Sequence, residues 1–307
     1  MVMPRLVSVH RIWGSAPHSA FTDLVRFRGR WFCAFREAQN HAGSRGRIRV
    51  VSSDDGAAWS SAALISERDV DLRDPKISTM PDGRLMLLAG GTEDGARGAV
   101  SRQPRVWFSD DAAAWTGPRR ILEPGDWLWR VTWQKDRAYG VSYTIASPRR
   151  WNVTLYATTD GLQYQRVCRL PVPGCPNEAT IRFAKDGGAV LLVRREAGDR
   201  AGWVGYSRPP YVTWKWKSVG LRIGGPNFLI LADGGMWAVC RRSGDDGHRV
   251  VVARLGPAGY RPFLELPSGG DCSYAGMVAH RGRLWISYYS SHEGRAQIYL
   301  ARVRVTG

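Results

Sequence analysis

Two side chains stand where chemistry is possible. Glu178 in "PNEAT" and Tyr274 in "CSYAGM" each interrupt an apolar run that otherwise reads as packed strand. A buried tyrosine is ordinarily a core residue with its hydroxyl satisfied. A phenol with a pKa of about 10 attacks poorly alone, but a carboxylate beside it can take its proton. Glu178 as base and Tyr274 as nucleophile is the chemistry this pair offers. Asp71, Arg73 and Asp74 interrupt a third run, "DLRDPK". Arginines recur behind apolar runs: Arg36 in "AFREA", Arg194 in "LVRREA" and Arg241 in "AVCRRS". Arg195 and Arg242 are adjacent, so the inward member of each pair is open by one residue. Guanidinium groups converging on one cavity repel unless they share an anion, and a carboxylate or phosphate fits bidentate hydrogen bonds. The plainer reading pairs them with local acids such as Glu37 or Glu196.

Repeated elements must position these groups. An apolar strand, a tight turn and a second apolar strand recur as "LVRFRGRWFCAF", "ISTMPDGRLMLL", "VTWQKDRAYGVSY", "IRFAKDGGAVLLV", "LILADGGMWAVC" and "MVAHRGRLWISYY". Alternating β-branched and aromatic residues around Asp-Gly or Arg-Gly turns read as β-hairpins. The period is roughly fifty residues, which is the propeller range. Third strands such as "GRIRVVSSDDGAAW" and short fourth strands such as "AALIS" complete each unit. The expectation is all-β: a six-bladed β-propeller of four-stranded antiparallel blades, forming a single domain over 1–307. The last unit has only three strands before the chain ends, so the N-terminal "RLVSVHRIW" is expected to close the ring.

A turn signature supports this layout. Ser52, Asp54, Gly56 and Trp59 in "SSDDGAAW" are spaced like the Asp-box of sialidases. In a second copy Asp110 and Trp115 keep the spacing, with Ala112 in place of glycine; in a third, Gly161 and Tyr164 remain beside Asp160. The chain thus resembles the sialidase (neuraminidase) superfamily in blade layout over nearly its whole length. "PNEATIRFAKDG…LLVRRE" is similar to the family stretch holding the catalytic glutamate and a carboxylate-binding arginine, implying Glu178 and Arg194 or Arg195. "MWAVCRRSG" implies Arg241, and "DCSYAGM" implies Tyr274 as nucleophile. The family's first arginine has no counterpart in "SAFTDL"; Arg36, Arg73 or Arg130 is left to substitute. The family's acidic loop residue is also missing from "QNHAGSRGR", leaving Asp74 as the preferred general acid and His41 as the second choice. The resemblance implies a metal-independent exo-α-sialidase-like glycoside hydrolase acting on a terminal acidic sugar, sialic acid or a related ulosonic acid. A neutral tyrosine nucleophile suits a substrate whose anomeric carbon bears a carboxylate. The alternatives are a non-catalytic glycan-binding propeller and a glycosidase of different specificity. Arg73-Asp74-Pro75 also resembles the Arg-Asp-Pro motif of five-bladed fructan- and arabinan-cleaving enzymes.

Composition narrows the classes. The formal charge of +17 comes almost wholly from arginine, because lysine occurs only at positions 76, 135, 185, 215 and 217. The arginines are dispersed and no nucleic-acid-binding motif accompanies them, so no nucleic-acid partner is expected. A positive field still attracts acidic substrates. Cys33, Cys168, Cys175, Cys240 and Cys272 have no CxxC spacing, and the histidines are scattered. No metal, cofactor or disulfide framework is therefore expected. No eighteen-residue apolar run marks a membrane span. No secretory signal is read in "MVMPRLVSVHRIWG", which makes the cytoplasm the default compartment, with a secreted or periplasmic location left open. Oligomeric state is not legible.

Overall fold

A computed structural model describes residues 4–94, 100–256 and 259–305. Among these residues every regular element is a strand. Strand β1 (Arg5–Trp13) precedes a first sheet of β2 (His18–Phe27), β3 (Arg30–Ala38), β4 (Arg47–Ser53) and β5 (Ser60–Ile65). The second sheet holds β6 (Val70–Thr79), β7 (Leu85–Asp94), β8 (Val100–Ser109) and the short β9 (Arg119–Arg120). The third holds β10 (Trp127–Gln134), β11 (Arg137–Ser147), β12 (Arg150–Thr158) and β13 (Gln165–Leu170). Next come β14 (Pro176–Phe183), β15 (Ala189–Arg195), β16 (Ala201–Ser207), β17 (Lys215–Ile230), β18 (Met236–Gly244), β19 (Gly247–Gly256) and β20 (Gly259–Glu265) in one seven-stranded sheet. Finally, β21 (Cys272–His280), β22 (Arg283–Ser290) and β23 (Gln297–Arg304) pair with β1 in the order β1-β23-β22-β21. All pairings are antiparallel, and the N-terminal strand completes the C-terminal sheet.

The fold is an all-β propeller with four-stranded antiparallel blades, but the six separate sheets expected are not found. There are four sheets of four strands and one of seven. The cause is β17, whose first half pairs with β16 and whose second half pairs with β18, with no break between. The first strands of the units touch their neighbours in the closed order β2, β6, β10, β14, β17, β21 and back to β2. Buried apolar clusters fill the junctions between units. One packs Phe27, Ile48, Leu72, Leu85 and Trp107 between the first two sheets; another packs Val141, Leu155, Ile181 and Leu191 between β11–β12 and β14–β15.

The stretch "SSDDGAAW" does form a side-chain-stabilised turn, but its hydrogen bonds use residues one position on from the spacing read above. Asp55, not Asp54, accepts the backbone N–H groups of Ala57 and Ala58, and Ser53 accepts that of Gly56. Ser109 with Asp111, and Thr158 with Asp160, repeat the same bonds. Asp54 instead pairs with Arg30 on the surface. The left-handed position is filled by Gly56, Ala112 and Gly161, with φ of 78°, 67° and 75°.

One irregularity recurs on the inner strands. The register slips between Ala20 and Asp23, Arg73 and Lys76, Leu128 and Val131, Pro176 and Ala179, Gly224 and Asn227, and Ser273 and Gly276. Each slip is a β-bulge that re-aims side chains. Phe21, Asp74, Gly225 and Tyr274 sit in these bulges at φ of 65°, 52°, 56° and 25°.

Candidate active site

The bulges of β14, β17 and β21 bring Glu178 and Tyr274 together. The Tyr274 hydroxyl donates to Glu178 Oε1 at 2.5 Å. Arg194 Nη1 donates to the same oxygen at 2.8 Å, and the Gly225 backbone N–H donates to Oε2 at 2.7 Å. Gly225 has no room for a side chain, because a Cβ there would lie 2.3 Å from the Tyr274 ring. Phe21 and Trp129 wall the phenol, with ring centroids 5.2 and 4.9 Å away. Thr22 fixes its backbone by donating to the Tyr274 carbonyl at 2.8 Å.

Electrostatics separate the roles. Burial, followed by the nearby Glu178 charge, holds the Tyr274 phenol well above its usual range, so it rests neutral. Burial also opposes ionisation of Glu178, but the charge and hydrogen bond of Arg194, the Tyr274 hydroxyl and the charge of Arg241 outweigh it. Glu178 therefore lies below the ordinary carboxylate value. Asp74 goes the other way: burial raises it, despite Lys76 and Arg73. Its Oδ2 accepts from Trp127 Nε1 at 3.1 Å, while buried Oδ1 has no hydrogen-bond partner among the described residues. Two carboxyl groups of one cluster thus have their pKa values pushed in opposite directions.

The expected arginines divide sharply. Arg194 reaches Glu178 and Glu196. Arg241 makes one long contact, to the Cys272 carbonyl at 3.5 Å, and its buried Nε has no partner among the described residues. Arg73 lies over Phe21 at 5.1 Å, bonds Asp71 at 3.2 Å and is close enough to be influenced by Tyr274. Arg36 and Arg130 are spent elsewhere. Arg36 is fully buried, with Asp71, the Asn40 carbonyl and the Ser44 carbonyl as partners. Arg130 Nη1 grips both oxygens of buried Asp23 at 2.9 and 2.8 Å, from β10 to β2. Arg36 is committed to half-buried Asp71 and two carbonyls, and Arg130 to buried Asp23 through Nη1, while its buried Nε has no partner among the described residues.

The one-residue ambiguity of the paired arginines is also resolved. Arg36, Arg195 and Arg241 share a register opposite the start of each bulge. Arg195, however, serves the Pro173 and Ala201 carbonyls and Asp199. Arg194, opposite the bulge itself, is the one that meets Glu178.

Several members of the site had no sequence signal. Lys76 is buried, donates to the carbonyls of Asp74 and Pro75, and sits 4.4 Å from the Trp129 ring centre. Burial pushes its pKa down to about 8. His41, the second candidate acid, is half exposed and is held by Asp271, Nδ1 to Oδ2 2.7 Å. His18 meets the same oxygen at 2.9 Å. The histidines read as scattered in sequence thus include two that converge.

No protein-family model matches the chain, and no curated protein does. In fold the chain is similar to a protein of unknown function from Dyadobacter fermentans, with TM-score 0.88, 20% identity and full coverage of both chains. It is also similar to an α-L-arabinofuranosidase from Fusarium graminearum in complex with an iminosugar inhibitor. There the TM-score is 0.77 at 12% identity, over 97% of this chain and 98% of that one. The NanB sialidase from Streptococcus pneumoniae gives 0.67 at 13% identity, over 97% of this chain and 70% of that one. At such identities the likeness is one of fold, and that fold is shared by glycoside hydrolases of differing substrates.

Proposed function

We propose that the chain is a retaining glycoside hydrolase of sialidase type that removes a terminal acidic sugar. The observation that carries this reading is the 2.5 Å hydrogen bond from Tyr274 to Glu178. In the first step Tyr274 Oη bonds to the anomeric carbon and passes its proton to Glu178 as the glycosidic C–O bond breaks. Proton loss runs together with bond formation, since the phenol is held neutral and Glu178 is a weakened base. Asp74, whose pKa burial raises, protonates the departing oxygen. In the second step Asp74 takes a proton from water, the resulting hydroxide attacks the anomeric carbon, and Tyr274 leaves with its proton returned from Glu178. Arg73, Arg194 and Arg241 are the carboxylate clamp of this reading, in place of Arg36 and Arg130. We also count the seven-stranded sheet as two blades sharing β17, which gives six blades in a single domain.

A second reading, a neutral furanoside as substrate, is favoured by the loss of Arg36 from the clamp and by the arabinofuranosidase likeness. The test is fluorogenic release from a 4-methylumbelliferyl sialoside beside the matching α-L-arabinofuranoside, with wild type and Tyr274→Phe. Release from the sialoside that falls by about a thousandfold or more in the variant supports the first reading. Release from the arabinofuranoside alone replaces the acidic sugar with a neutral one. No release from a wider panel of ulosonic and uronic acid glycosides, with binding retained, makes the protein a glycan-binding propeller.

A further inference from the structure

A second constellation lies at the same mouth as Tyr274. His18 opens β2, His41 lies in the loop after β3, and Asp271 precedes β21. Their ligand atoms, His18 Nε2, His41 Nδ1 and Asp271 Oδ2, all lie within 4.8 Å of one another. The two nitrogen–oxygen separations are 2.9 and 2.7 Å. Donors bound about 2.1 Å from one cation lie roughly 3.0–3.4 Å apart in octahedral or tetrahedral geometry, so small adjustments suffice. Two imidazoles and one carboxylate are the donor set that divalent transition metals prefer, with remaining positions open.

The surroundings suit that use. The Tyr289 hydroxyl donates to Asp271 Oδ1 at 3.1 Å, and the Asp271 backbone N–H donates to Ser291 Oγ at 2.8 Å. Such outer bonds orient a ligating carboxylate. His18 is only 8% exposed, yet its other ring nitrogen, Nδ1, has no partner among the described residues. One half-exposed ligand, His41, leaves an entry path. Phe21 touches both places, with its ring 5.2 Å from His41 and 5.2 Å from Tyr274.

We propose that His18, His41 and Asp271 form a binding site for one divalent transition-metal ion beside the Tyr274–Glu178 pair. The site supplies positive charge on the side of the mouth where Arg36 is withdrawn into the protein. That role in anion recognition rests on the proposed hydrolase reading; the binding of metal does not.

The experiment is calorimetric titration of chelator-treated full-length protein with zinc and, separately, manganese chloride. One equivalent is expected to bind, and both His41→Ala and Asp271→Asn should weaken it by at least tenfold. Cobalt substitution should give visible d–d absorption that is lost in the same variants. Far-ultraviolet circular dichroism and melting temperature check that the variants are folded; the half-exposed His41 is the safer substitution. Tyr274→Phe should bind metal as wild type does, which separates this site from the hydrolase proposal. Absence of binding by wild type at millimolar metal, or equal affinity in folded His41→Ala, overturns the inference.

Discussion

The rim turns and the channel bulges are both departures from regular strand, and they are built on opposite terms. In the turns after β4, β8 and β12, one aspartate and one hydroxyl satisfy the local backbone N–H groups. The bulges do the reverse. They hold Asp74 and Tyr274 at positive φ, and they leave Asp74 Oδ1 and Arg241 Nε buried with no partner among the described residues. Antiparallel order also puts the two features at opposite ends of each unit. The rim turns close the fold with ordinary hydrogen-bond chemistry. The bulges carry positive-φ backbone and unpartnered buried polar atoms, which are features of sites rather than scaffolds.

Substitutions can sharpen that contrast, beginning with the largest effect. Glu178→Gln should lower turnover of a cleaved substrate by a factor of about a thousand or more while the protein stays folded, as read by steady-state rates beside a thermal melt. Equal rates would remove the proton acceptor from the channel. The two arginine settings come next. Arg36→Met should cost about 3 kcal/mol of stability in denaturant unfolding, because it leaves half-buried Asp71 with only Arg73 and the Gly46 N–H as partners. Arg241→Met should leave stability nearly unchanged but raise KM for an acidic glycoside about tenfold or more, without the same effect on a neutral one. If the two variants behave alike, the division between scaffold and clamp fails.

The pH profile probes the two carboxyl groups. Glu178 must be ionised to accept a proton, and its depressed pKa keeps it so until the pH falls below the usual carboxylate range. Asp74 must be protonated to donate, and its raised pKa extends that state upward. Activity should therefore be bell-shaped, with the alkaline limb set by Asp74 and displaced in Asp74→Asn. An unchanged alkaline limb in that variant would assign the acid elsewhere. The smallest effect belongs to the rim. Asp160→Ala removes two backbone hydrogen bonds and should cost about 1 kcal/mol with no change in rate.

Much of the scaffold was legible because period-two patterning and glycine turns are local signals. The polar-interrupted runs "DLRDPK", "PNEAT" and "CSYAGM" all lie on the first strands of units, β6, β14 and β21. What was misread depends on a single residue of register. "SSDD" offers two serines and two aspartates in a row, and only backbone geometry selects Ser53 and Asp55 over Ser52 and Asp54. The arginine pair at 194 and 195 failed to resolve for the same reason, since neighbours on a strand face opposite sides and only the pairing with β14 shows which one meets Glu178.

Composition and repeat by themselves determined the all-β, antiparallel, four-strand pattern, and singled out Glu178 and Tyr274 as polar interruptions of buried strands. Tertiary structure alone decided that these two touch across 96 residues of chain. It also decided that Arg36 and Arg130 neutralise Asp71 and Asp23, that burial raises the pKa of Asp74, and that His18 and His41 meet at Asp271. The physical reason is that propensity acts over a few residues, whereas charge pairing and desolvation depend on which distant strands the closed ring brings to one mouth.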